Sequence, residues 1–514
     1  MGKAAVIYGL DDRPPPGRAL ILAIQHALTM FGATVSVPLL LGPAMGMNQD
    51  QIGILISAVM LCSGVATLVQ TTFGSRLPII QGVSFSFLAV FFAIISQGQT
   101  EGWAPATMMQ YIAGTIIAGA LVEMFIGFSG LMGRLRRILS PVVVGPVIML
   151  IGLALFQHGA PKAGTYWPVS GLTILLVIVF SMILSRRSRF FRIFPILTAI
   201  LLVCGGCWLL SATNVFGPDH PARINFDRLS HSSWVRLNPS EVVFPWGTPR
   251  FNTGFIVAGL AAYLASTIES FGDYHACSHM AGAGDPSPKQ ISRGIGCEGI
   301  GCFLTGVLGG FSSTSYSENI GLIGITKVGS RYVVQIAGVV LIVLGLFGKF
   351  GAFAATIPGP VVGGLYCVLF GLISAIGVQQ LAKADLSSDR NLFIAGFSLF
   401  MGLSVPAYFL AVSNATLVGI AEGGGKLAEQ FGGLAGGTIA LYEPTSDGLL
   451  DLISKSASTI VKSIGTTGMG VAAIIGIILD NVIPGTPEER GLKLPSSSAR
   501  EGADATADGP TDAR

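Results

Sequence analysis

The clearest ionisable residues inside long apolar runs of this chain are His26, Glu123, Glu269, Asp273, Glu298, Glu318 and Asp480. Placing an Asp at the centre of a membrane helix costs about 2.5–3.5 kcal/mol on insertion scales, so such residues face a protein interior or a watery path. Glu269, Asp273, Glu298 and Glu318 fall close together in the chain, which argues for one polar site. Glu269 and Asp273 stand four apart in "STIESFGDYHA" and therefore share a helix face. Two poorly solvated carboxylates this close resist ionising together. Either one of them carries a proton that leaves when the surroundings change, as proton-coupled transport requires, or they form a packing pair satisfied by Ser and Thr hydroxyls.

The stretch "TSYSENIGLIGITKVGSR" has a polar lead followed by a short apolar helix that opens at Glu318. Free N–H groups and the helix dipole stabilise a carboxylate there, and Ser317 alone can serve as the N-cap. Glu318 also offers two acceptor oxygens, enough for paired N–H donors of a flat heterocycle. Asn319 is expected to fasten this helix to the first span through His26 or Gln25. Glu298 has Lys327, Arg293 or a hydroxyl as possible partners, and structural and coupling roles stay open for it. Glu123 and Asp480 read as structural. Phe85, Phe87 and Tyr316 pack, or stack on a planar base. Cys204-Gly-Gly-Cys207 reads as small apolar residues in a helix rather than a redox pair. The seven cysteines show no metal-ligand spacing, and no nucleophile–base set for an enzyme is visible.

These residues need membrane helices to position them. Of 514 residues, 51% are hydrophobic and 11% charged, with mean hydropathy +0.69. A soluble domain carries about 25% charged residues, so this is an all-α polytopic membrane protein. The net charge of +3 is small and comes without a Lys/Arg stripe, so no nucleic-acid partner is expected. Glycine, 69 residues, is abundant enough for close helix packing and broken helices. The N-terminus has no apolar core before Pro14 and is not a cleavable signal.

Runs of the required ~20 apolar residues give fourteen spans: 19–41, 51–72, 77–97, 109–131, 141–158, 170–185, 192–212, 253–276, 292–310, 314–327, 331–348, 353–378, 391–411 and 461–483. The even loops between them hold Arg76; Arg134, Arg136 and Arg137; Arg186, Arg187, Arg189 and Arg192; Lys289 and Arg293; Lys327 and Arg331; and Lys383 and Arg390. The short odd loops hold only Lys162 and Lys349. Positive charge marks the cytoplasmic side, so both termini are expected there. Loop 213–252 and segment 412–460, with a sequon at Asn414, are then outside. Residues 492–514 read as a disordered tail.

Fourteen spans divide as seven plus seven, an inverted repeat. Spans 3 and 10 then correspond, and both look broken: "LPIIQGVSFSFLAV" is extended up to Gly82, and "GGFSSTSYSENIGLIGIT" has a Ser/Thr-rich lead. Interrupted segments at matching places point to a midplane binding site.

Together, "ENIGLIGITK", "IQHALTMFG", "ESFGDYHA", "RGIGCEGIG", "KVGSR" and "LDNVIPGTPEERGL" make the chain resemble the nucleobase–ascorbate transporters, or nucleobase:cation symporter-2 family, from about Ala19 to Leu492. The resemblance implies a mobile core of residues 19–140 (spans 1–4) and 253–350 (spans 8–11). It implies a gate of residues 141–252 (spans 5–7 and the outer loop) and 351–491 (spans 12–14), with residues 1–18 as an N-terminal tail. It also implies elevator movement, a homodimer and a plasma-membrane location. Substrate would be held by Glu269 and Glu318, with backbone near Phe85, Tyr316 and Ser317. Gln25, His26, Asp273, Glu298, Asn319, Thr326 and Lys327 would form the coupling and structural polar network.

Glu at the first signature position resembles uracil carriers and multi-base members, whereas Pro accompanies ascorbate transport. The expected substrate is therefore uracil or a purine such as xanthine, guanine or adenine. It would move with a proton and without cofactor or resident metal. The alternatives are sodium-coupled ascorbate or nucleobase symport, and an inorganic-anion carrier of the sulfate type on the same fold, which two carboxylates would oppose.

Overall fold

The computed structural model describes residues 6–132, 138–225, 232–422, 465 and 468–492, with side chains for all of these except 156–158 and 409–422. Arg134, Arg136 and Arg137, the side chain of Asn414, residues 423–460 of the outer segment, residues 461–464 of the fourteenth span and the tail from 493 lie outside this description, whereas 412–422, expected in the outer segment, continue a helix.

The first half contains α1 (Pro16–Ala44), α2 (Gln49–Thr72), β1 (Gln81–Val83), α3 (Leu88–Thr100) and α4 (Pro105–Phe128). It continues with α5 (Pro141–Ala154), α6 (Phe156–Gly164), α7 (Trp167–Ile178), α8 (Arg189–Ile193), α9 (Pro195–Ala212) and α10 (Pro239–Val242). The second half contains α11 (Thr253–Met280), α12 (Pro288–Val307), β2 (Ser313–Ser315), α13 (Ser317–Thr326), α14 (Arg331–Leu346), α15 (Gly348–Ala354), α16 (Gly359–Leu381), α17 (Asp389–Glu422) and α18 (Gly468–Val482). Among the described residues, nine helices are long and apolar enough to cross a membrane, and three more are shorter.

Local chemistry sets many of these starts. Proline opens α1, α4, α5, α9 and α12, where its missing N–H has no helical partner to lose. A capping box starts α2: the Asn48 side chain accepts from Gln51 N at 2.9 Å, and the Gln51 side chain accepts from Asn48 N at 3.0 Å. The sixth span is longer than its apolar run suggests, because α7 continues through one π turn to Arg186 and makes a 20-residue rod. The twelfth begins later, at Gly359 rather than 353. Residues before proline avoid the helical region, so Ile357 before Pro358 ends the helical run, and Pro358 is the N-cap of α16.

Two packing groups share the structure. The helices α1, α2, α4, α11, α12 and α14 pack together, as do α5, α7, α16, α17 and α18. Small residues set the close crossings. A Cβ at Gly64 in α2 would stand 2.5 Å from the Gly338 carbonyl of α14, and one at Gly127 in α4 would stand 2.1 Å from Gly296 N of α12. Cys204 and Cys207 are free thiols packed within α9.

In the second group, Asp480 accepts from Arg390 at 3.0 Å and from Arg490 at 2.7 Å, with no exposure of its own side chain. Removing one partner of a buried ion pair costs about 3–5 kcal/mol, because the other charge stays buried. Asp480→Ala is expected to lower the thermal unfolding midpoint of the purified protein markedly. An unchanged midpoint would show that the triad does not hold α17 to α18.

The N-terminal stretch is docked rather than free. Ile7 N donates to Lys327 O at 2.7 Å, Gly329 N to Tyr8 O at 2.8 Å, and Arg331 N to Leu10 O at 3.0 Å.

Candidate functional site

The two broken spans meet in an antiparallel pair: Gln81 faces Ser315, Gly82 faces Thr314 and Val83 faces Ser313. Ser84 N donates to Ser312 O at 2.9 Å and Tyr316 N to Ile80 O at 3.0 Å, which extends the pairing on both sides. A helical segment leaves each strand. One begins with a 3-10 turn, Phe85–Phe87, and runs into α3; the other is the ten-residue α13. At 1.5 Å per residue α13 is about 15 Å long, half a bilayer. Both helix N-termini therefore start inside the fold, with their free N–H groups and positive dipole ends.

The carboxylates gather beside this crossing. Asp273, Glu318 and Glu298 are all close enough to act on the charge of Glu269, and Ser86 neighbours it from the third-span side. Asp273 Oδ1 accepts from the Ser317 hydroxyl at 2.8 Å, while Oδ2 is buried without a partner. Ser317 is thus not the N-cap. Tyr316 holds that position without a side-chain cap, because the serine hydroxyl is turned to α11. Glu318 lies in the first turn of α13, enclosed by protein yet reached by solvent, as a residue lining an opening would be. Just past α16, burial holds the Lys383 ammonium below its usual range, and the charge of Asp273 acts against that shift.

Glu298 resolves to hydroxyl partners. Its Oε1 accepts from Ser270 at 2.6 Å and its Oε2 from Tyr274 at 2.6 Å and Ser315 at 3.5 Å. Arg293 instead donates to Gly74 O at 2.9 Å. Gln81 Nε2 donates to Ser315 Oγ at 3.0 Å, so a buried chain of hydrogen bonds ties α11 and α12 to both strands. Asn319 Nδ2 lies 3.2 Å from His26 Nδ1 and donates to His26 O at 3.0 Å, which fastens α13 to α1. The oxygens Asn319 Oδ1 and Gln25 Oε1 are buried without partners.

Tyr316 has a different job from stacking. Its ring lies over Gly82, where a Cβ would come within 2.5 Å of it. Its hydroxyl donates to Val83 O at 3.1 Å and accepts from Thr34 at 3.2 Å. The ring is a strut, leaving the backbone available at that position. Phe87 is buried against Phe91 and Tyr263, whereas Phe85 is half-buried beside the break. Thr326 and Lys327 lie at the opposite end of α13 from Glu318. Thr326 Oγ1 donates to Leu322 O at 2.9 Å, and Lys327 caps the helix in the left-handed region with an exposed side chain. The structure does not bring them to the carboxylates. Glu123 is buried on α4, accepting from Thr267 at 3.3 Å.

Gln70, whose Nε2 donates to the Tyr274 hydroxyl, joins the site with Gln81, Ser86, Ser270, Tyr274 and Ser315, none of them singled out by charge. The available signal was an amide inside a span, as at Gln70 and Gln81. Among the described residues no cluster of His, Cys, Asp and Glu is placed to hold a metal.

Comparison with known proteins places the chain. Residues 17–411 match Xan_ur_permease, described as a permease family. The mouse protein named solute carrier family 23 member 1 is 36% identical over 538 residues, covering 95% of this chain and 82% of the relative. The Arabidopsis thaliana nucleobase-ascorbate transporter 12 is 32% identical over 524 residues, covering 96% and 72%. In fold, the murine solute carrier 26 family member A9 anion transporter, solved in the inward-facing state, aligns with TM-score 0.57 at 10% identity over 76% of this chain and 65% of that one. The protein is thus an integral membrane transporter, not an enzyme, and it belongs to the nucleobase–ascorbate transporter family, solute carrier family 23.

Proposed function

We propose that this protein imports a nucleobase, uracil or a purine such as xanthine, guanine or adenine, across the plasma membrane by proton symport. The observation that carries the reading is the excess of acceptors at the strand crossing. Glu318 is exposed in the first turn of α13, close enough to Glu269 to act on its charge, and Asp273 Oδ2 on α11, Asn319 Oδ1 on α13 and Gln25 Oε1 on α1 are buried without hydrogen-bond partners. Unpaired buried acceptors are costly, and a planar ligand with ring N–H groups supplies donors to such a site. Phe85 offers a half-buried ring at its edge.

The proposal includes fourteen spans in an inverted repeat, with both termini cytoplasmic. The two packing groups support a core built on α1–α4 and α11–α14 that moves against a gate in an elevator cycle. The homodimer completes the proposal on family resemblance. No cofactor is assigned, and the co-transported ion is the proton. The carboxylates favour a neutral or donor-rich ligand over an inorganic anion, although the fold neighbour carries anions.

Competition of labelled uracil and xanthine uptake by unlabelled bases and ascorbate tests the substrate. Inhibition by bases and not by ascorbate is expected; inhibition by ascorbate alone refutes a nucleobase substrate. For coupling, an imposed pH gradient should drive uptake in sodium-free vesicles. Uptake that requires sodium would favour the second reading, a sodium-coupled ascorbate or nucleobase symporter, which the names of the plant relatives keep in view.

A further inference from the structure

Away from the strand crossing, the end of α2 and the starts of α12 and α14 line an open cavity of about 410 Å³. Its lining includes Arg76, Lys289, Arg293 and Arg331, with Asp11 as its one carboxylate. That volume is within the range of small-ligand sites.

The cavity is built rather than incidental. Gln290 Nε2 donates to Ser75 O at 2.6 Å and Arg293 Nε to Gly74 O at 2.9 Å, which pins the start of α12 to the turn after α2. Arg331 Nε pairs with Asp11 at 2.6 Å. The exposed Arg76 and Lys289 side chains have no ion-pair or hydrogen-bond partner among the described residues. Arg76 also holds φ at +56°, a left-handed backbone that disfavours a long side chain. Such strain persists where the surroundings enforce it and clusters at ligand sites. Lys289 stands in the first turn of α12, whose N-terminal dipole adds to the positive field.

We propose that this cavity binds a phosphate-bearing anion. Phosphate oxygens accept several charge-assisted hydrogen bonds at once, and guanidinium groups match that geometry. Basic pockets between membrane helices recognise anionic lipid headgroups by the same chemistry. A bound phosphate shares Arg331 with Asp11, so occupancy is linked to the docking of residues 7–12 on Lys327–Arg331. The inference does not depend on which substrate the transporter carries.

The test uses the full-length protein in phosphatidylcholine nanodiscs, with three probes: phosphatidylinositol phosphate added to the lipid, soluble inositol bisphosphate, and inorganic phosphate. Binding is followed by native mass spectrometry and by the unfolding midpoint. At least one probe is expected to bind and raise the midpoint. An Arg76→Gln, Lys289→Gln double variant should lose at least tenfold in affinity while keeping the wild-type midpoint in phosphatidylcholine alone. Each single variant, as a separate check, should lose at least threefold. Binding by the lipid probe only identifies a headgroup site, and binding by the soluble probes identifies a free-phosphate site. No binding by any probe, or equal binding by wild type and variants, overturns the proposal.

Discussion

Replacing Glu269 by Ala should abolish uptake while the protein remains in the membrane at its normal level. Glu269 lies beside the strand crossing, with three carboxylates near enough to act on its charge. A hydrogen bond to a charged group contributes about 1.5–3 kcal/mol. Losing two such bonds to a ligand corresponds to at least a hundredfold drop in transport. The scaffold should survive, because Glu298 and not Glu269 ties α11 and α12 to the strands through Ser270, Tyr274 and Ser315. Uptake by membrane vesicles, normalised to immunoblot level, gives the measurement. Normal uptake by the variant would remove Glu269 from the site.

Glu318 separates removal from recoding. Glu318→Ala should also abolish uptake, since this carboxylate stands exposed in the first turn of α13, beside Glu269. Glu318→Gln changes two acceptors into one acceptor and one donor. Such a group suits a ligand edge where a carbonyl neighbours an N–H. The competition profile is therefore expected to shift towards xanthine or urate, by about tenfold relative to uracil, the scale of one hydrogen bond. An unchanged profile would show that position 318 does not read the ligand's edge.

The two partly open readings of Glu298 and Asn319 separated for a simple reason. Both are short polar groups in apolar surroundings, so the sequence shows that each needs a partner without saying which one. Glu298 had cations within reach along the chain, but Arg293 is drawn to the Gly74 carbonyl and Lys327 to the far end of α13. Hydroxyls from two other elements reach Glu298 instead. Asn319 meets His26, as the polar spacing on the first span suggested. Ser317 was legible as a helix start, yet its hydroxyl belongs to Asp273 across an interhelical gap.

The sequence by itself determined the membrane class, from the scarcity of charge, and the two interrupted segments, from the polar lead and glycines that break apolar runs at 77–87 and 310–318. It also determined the candidate carboxylates, since a lone charge in an apolar run stands out without any knowledge of neighbours. Only the tertiary structure decided which polar groups meet. It set Tyr316 as a strut on Gly82, joined strand residues 230–234 positions apart, and gathered Arg76 from the turn after α2, Lys289 and Arg293 from the start of α12 and Arg331 from the start of α14 around one cavity. Periodicity and composition are properties of a segment, fixed by what lipid and helix geometry allow. Hydrogen-bond partners and shared fields depend on distances of a few ångströms between distant segments, which packing alone sets.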